Sequence, residues 1–113
     1  MSSRASEAID RILDSGNDAD DVLRAVVAEL AREPSIEWAG VLFLEEGSLV
    51  LGPEAGVAAP ARRTTVPVSY RGAVVGELAI DGNAEPAFLE RVALLISTHV
   101  LLGWDTDGEA WEP

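Results

Sequence analysis

The 113-residue chain reads as one α+β domain in which helices flank an antiparallel sheet of about four strands. Two observations predict this class. Apolar residues recur at helical spacing near the N-terminus and again near the C-terminus, and between them the period changes to two, cut by Gly and Pro turn signals into two strand hairpins lying side by side. A chain of this length supports one core and buries about two thirds of the surface that its unfolded form exposes.

The first helix follows from Ala5, Ala8, Ile9, Ile12 and Leu13, with Gly16 as its stop. Asn17 or Asp18 can cap a second helix, whose first turn holds Asp20 and Asp21 against the positive end of the helix dipole. Its apolar stripe is Val22, Leu23, Val26, Val27 and Leu30, and Pro34 should end it near Arg32.

From 36 to 44 one face carries Ile36, Trp38, Gly40, Leu42 and Leu44 and the other Ala39, Val41 and Phe43, as expected of a central strand covered on both sides. Residues 45–48 turn the chain into a short returning strand over 49–51, broken by Gly52-Pro53 and Gly56. A third strand spans 64–70, with Pro67 favouring an edge or a bulge. Arg71-Gly72 leads into a fourth strand over 73–80, which Asp81-Gly82-Asn83 closes. Pro86 suits the first turn of a last helix running to about Leu102, with a core stripe of Phe88, Val92, Leu95, Ile96 and His99. Leu89, Leu94, Val100 and Leu101 add apolar surface outside that stripe, more than one sheet face needs. The domain is expected to occupy 1–103, followed by an acidic tail, 104–113, carrying Trp104 and Trp111.

Composition narrows the function. With 20 acidic and 8 basic side chains the net charge is −12, which repels phosphate backbones and anionic membranes, so neither nucleic acid nor membrane is expected as a partner. The chain has no cysteine, which removes disulfides, thiolate catalysis and zinc–thiolate sites. One histidine gives no basis for a metal site, and no cofactor motif is present. The glycines at 52, 56 and 72 do not form a phosphate loop, because no strand-to-helix junction follows them. Without an apolar export segment or a membrane-length run, the expected location is the cytoplasm.

The two hairpins carry a resemblance. Residues 38–44, the G-P-E-A-G turn at 52–56, Val66-Pro67-Val68 and the G-E-L-A-I-D strand at 76–81 resemble, in that order, the strands and turns of GAF domains. The local wording is most similar to the GAF-type free methionine-(R)-sulfoxide reductases, and the resemblance spans about 22–100. It implies a GAF-like sheet in the order 2-1-4-3. The chain also departs from the pattern: where the reductases carry cysteines it has Val57 to Ala61, and their long middle segment is absent. Of the two strand-end aspartates the first is Ala79 and only Asp81 remains, while Arg63 stands where the family has a glutamate, a reversal that repels a substrate ammonium group. The resemblance therefore points to a shortened GAF-like scaffold without the reductase chemistry. The rival architecture is the roadblock/longin type, which needs a long helix between the second and third strands; Pro53, Gly56 and Pro60 argue against one.

No catalytic residue is assigned. His99 reads as a packed, hydrogen-bonded side chain before a ligand, Asp81 as a turn carboxylate, Arg62 and Arg63 as solvated surface, and Trp38 and Tyr70 as packing residues. The leading functional expectation is a non-enzymatic homodimerising or protein-binding module, with Ile9, Leu13, Leu94 and Leu101 at the dimer interface. The alternative is a small-molecule sensor with Trp38, Arg63, Tyr70 and Asp81 around a pocket between the sheet and the 52–65 connection. A third possibility is partner binding through Trp104 and Trp111.

Overall fold

The computed structural model describes residues 3–16 and 18–109, with side-chain burial from Arg4 to Leu101 apart from position 17. Helices α1 (Ser3–Leu13) and α2 (Ala19–Ala31) precede β1 (Ile36–Glu45) and β2 (Ser48–Gly56). A 3₁₀ turn at Pro60–Arg62 leads to β3 (Arg63–Tyr70) and β4 (Ala73–Gly82), and α3 (Pro86–Glu109) follows. The four strands form one antiparallel sheet in the order β2-β1-β4-β3. The long helix of the roadblock/longin arrangement has no counterpart, since the 3₁₀ turn of three residues is the helical element between β2 and β3.

Local chemistry sets the element ends. Asp18 caps α2, its carboxylate accepting the Asp21 N–H at 3.0 Å, while Asn17 lies outside the described residues. Both hairpins turn through two residues with positive φ, Glu46-Gly47 and Arg71-Gly72, the geometry that matches strand twist. Helices α2 and α3 cover one sheet face, α2 over β1 and β2 and α3 over β3 and β4, and α1 packs outside α2. Val22, Leu23, Leu30, Val41, Leu78, Ile80 and Ile96 form the centre of the core.

Four expectations change. Strand β2 does not end at Leu51 but runs to Gly56; it is an edge strand, where Pro53 removes no ladder bond, and a bulge between the Gly40 and Leu42 pairings absorbs Gly52-Pro53. Ile36 does not share the face of Trp38: a bulge at Glu37 turns Ile36 into the core beside Ala39, Val41 and Phe43. Among the described residues the face holding Leu42 and Leu44 is only partly covered, Leu44 lying beside Leu101 of α3, and their β2 partners Leu51 and Leu49 are exposed. Helix α3 continues through Gly103 and Gly108 to Glu109 and does not stop near Leu102; each glycine costs only about 1 kcal/mol and no proline intervenes. Trp104 therefore falls within the helix with its side chain outside the described set, and Trp111 lies outside the described residues.

The surplus apolar surface of α3 is also smaller than expected. Leu89 and Val100 are buried in the core, whereas Leu95 and His99 are only partly buried. The buried stripe is Phe88, Leu89, Val92, Ala93, Ile96 and Val100, a face rotated from the expected one, and the helix meets α2 as well as the sheet, as its apolar surface beyond one stripe predicts.

Candidate functional site

The densest polar constellation lies where β1, β3 and β4 meet the connection between the hairpins. Trp38 on β1 and Arg63 on β3 are both register partners of Asp81 on β4, so three adjacent strands bring the three residues side by side. Asp81 has no solvent exposure, yet its carboxylate is fully engaged. Arg63 donates to it twice, Nε to Oδ1 at 2.7 Å and Nη2 to Oδ2 at 2.9 Å, in the planar two-bond geometry of which guanidinium is capable. The backbone N–H of Ala59 donates a third bond to Oδ2 at 2.6 Å and pins the connection to the sheet.

The guanidinium also lies over the Trp38 ring, 4.3 Å from its centroid. The ring has room because residue 40 is glycine: a Cβ there would sit 2.6 Å from two indole carbons. The indole N–H donates to Glu54 Oε1 at 2.8 Å, which fixes the ring plane from the β2 side. Nearby, Arg62 Nη1 donates to Glu37 Oε2 at 2.6 Å, and the Val57 N–H donates to the Glu37 carbonyl at 2.9 Å. Gly56, at φ +95°, lets the chain pass against that carbonyl.

Electrostatics follow from this packing. The hydrogen bonds from Arg63 hold the Asp81 carboxyl below its ordinary range, against the opposing effect of burial and with help from the Ala59 N–H. The hydrogen bond to Asp81 raises Arg63 in turn. An ionised carboxylate saturated by three donors is no proton acceptor at neutral pH. Among the described residues no group of three or more His, Cys, Asp or Glu side chains is placed to hold a metal ion.

Of the four expected ligand residues, Trp38, Arg63 and Asp81 come together, and Tyr70 does not. Tyr70 sits at the far end of β3, paired with Ala73, its ring beside the Arg71 guanidinium at 5.3 Å. Asp81 is a strand residue bound to a distant arginine as well as to a backbone donor, and Arg63 is an ion-pair partner in place of free surface. Glu54 and Ala59 were not anticipated as members. Counting back from the Arg71-Gly72 turn sets Arg63 against Ile80; the bulge between Val68 and Ser69 moves it to Asp81, and the bulge is not written in the hairpin pattern. His99 also differs from expectation: its Nδ1 is buried and has no hydrogen-bond partner among the described residues, and burial pushes its pKa down.

The expected interface residues separate as well. Ile9 is buried in the chain's own core, and Leu13 packs partly against that core. Leu101 is partly buried beside Leu44, Val74 and Val75. Leu94 is 71% exposed and borders a groove lined by Val66, Pro67, Ser69, Glu90 and Ala93 between β3 and α3.

No family model matches the chain. No curated protein matches it either. Solved structures do. The GAF domain of an Acinetobacter phosphoenolpyruvate-protein phosphotransferase superposes with a TM-score of 0.70 at 15% identity, over 96% of this chain and 99% of that one. Free methionine-R-sulfoxide reductase from Neisseria meningitidis, in complex with its substrate, gives 0.69 at 16% identity over 94% and 95%. A putative GAF sensor protein from Burkholderia vietnamiensis gives 0.61 at 17% identity over 89% and 91%. At these identities the likeness is one of architecture, and with its three helices and 2-1-4-3 sheet the chain has the GAF fold.

Proposed function

We propose that this GAF-fold chain is a non-catalytic module that works through association with a second copy of itself. The observation that carries the reading is Leu94, a large apolar side chain left 71% exposed on α3 beside the groove of Val66, Pro67 and Ala93. Burying a leucine side chain that is otherwise exposed contributes about 1.5–3 kcal/mol, and a two-fold contact counts it twice. Two properties support the absence of catalysis. The sequence contains no cysteine, so the thiol chemistry of the reductases that share the fold has no nucleophile, and Asp81 is committed to Arg63 and Ala59.

Sedimentation velocity of the purified chain across micromolar concentrations tests the reading. A dimer of the 11.9 kDa chain is expected, and a species that stays monomeric throughout overturns it.

The sensor alternative is disfavoured by one observation. Its pocket was to lie between the sheet and the 52–65 connection, and Arg63 fills that corner. Saturating metabolite panels are accordingly expected to leave the melting temperature of the wild-type chain unchanged.

A further inference from the structure

We propose that the Trp38–Asp81 corner is a guanidinium receptor whose resident ligand is the chain's own Arg63, which acts as a tethered plug. The inference is independent of self-association, because none of its residues lines the Leu94 groove.

The corner has what recognition of a planar cation needs. It offers the flat face of an indole for stacking, a carboxylate with no solvent exposure presenting both oxygens, and a second carboxylate, Glu54, that orients the indole through its N–H. The Ala59 N–H takes a further lone pair of Asp81, so the oxygens are aimed at the cation and not left to rotate. By contrast, Arg63 is held in place by little besides these contacts. Its side chain is 35% exposed, it starts an edge strand, and its backbone pairing with Asp81 keeps β3 in register whatever side chain stands there.

Removing the side chain would thus leave a shaped, negatively charged cleft under an intact ladder. A buried carboxylate stripped of its cation is strongly unfavourable, so the vacated corner should take up a free guanidinium. An ammonium ion is a compact point charge and cannot make two parallel bonds while stacking, so selectivity for guanidinium over ammonium is the signature of the receptor. In the wild-type chain the ladder pairing with Asp81 fixes the start of the Arg63 side chain, so its effective concentration lies well above the millimolar range of flexible linkers and keeps the free ion out. The ligand class is therefore an arginine-type guanidinium group, supplied in cis here.

The test uses the full chain carrying Arg63→Ala, titrated with methylguanidinium to about 20 mM, with methylammonium and sodium chloride at matched concentration as references. Methylguanidinium is expected to raise the melting temperature of Arg63→Ala saturably by at least about 4 °C, and to move the Trp38 indole N–H and Ala59 amide NMR signals toward their wild-type positions. Methylammonium should bind at least about tenfold more weakly, and neither wild type nor Arg63→Ala/Asp81→Asn should respond. If Arg63→Ala is unfolded alone, the same titration reads recovery of its folded NMR spectrum. No saturable response beyond the salt reference, no folding recovery, or an equal response in the double variant would overturn the proposal.

Discussion

Arg63 and Asp81 contribute unequally to the same pair. Asp81 is wholly buried while Arg63 reaches solvent, so deleting the arginine strands a charge and deleting the carboxylate does not. Asp81→Asn should cost about 1–3 kcal/mol and Arg63→Ala should cost more, because it leaves the carboxylate without its cation; both are measured as shifts in urea midpoint at constant slope. The pH dependence has a definite sign. Because the folded carboxyl lies below its ordinary 3.8, its contribution is complete above that value and is lost as pH falls toward the folded pKa. Asp81→Asn should flatten the acid limb of the stability curve. His99 behaves the same way about a higher value: burial lowers its pKa, so stability is present above about 6.5 and falls on acidification through it. His99→Leu should remove that step below about pH 6.5, and a profile identical to wild type would contradict the assignment.

At the scale of elements, caps and turns were legible in the sequence because their signals are local. Asp18 before an apolar stripe, Pro34 after it and Gly after Glu46 and Arg71 each act within a few residues. The faces of Ile36 and Arg63 were not legible, because each depends on a one-residue bulge that only strand pairing defines. The same local rules predict improvements. Glu46 adopts φ 49° in a turn where asparagine is favoured, so Glu46→Asn should stabilise the chain by about 0.5–1 kcal/mol in thermal unfolding. Asp18→Ala removes the bond to the Asp21 N–H and should destabilise it by about 1 kcal/mol.

At the scale of the whole molecule, the fold was readable from the order of two hairpins and three helices, and the site only in part. Trp38, Arg63 and Asp81 were identifiable as residues, but their union needs three strands in register, and Glu54 and Ala59 join through bonds spanning 16 and 22 residues. Only Leu94, of the four proposed interface residues, stands clear of the chain's own packing, so it is the residue whose change probes association without disturbing the core. The net charge of −12 sets the salt dependence: two such chains repel, so raising ionic strength should tighten the dimer. The most direct measurement is sedimentation equilibrium of wild type beside Leu94→Glu at equal micromolar concentration. Self-association through α3 predicts a mass near twice 11.9 kDa for wild type and near 11.9 kDa for Leu94→Glu, with unchanged circular dichroism. Equal masses for the two chains would contradict it.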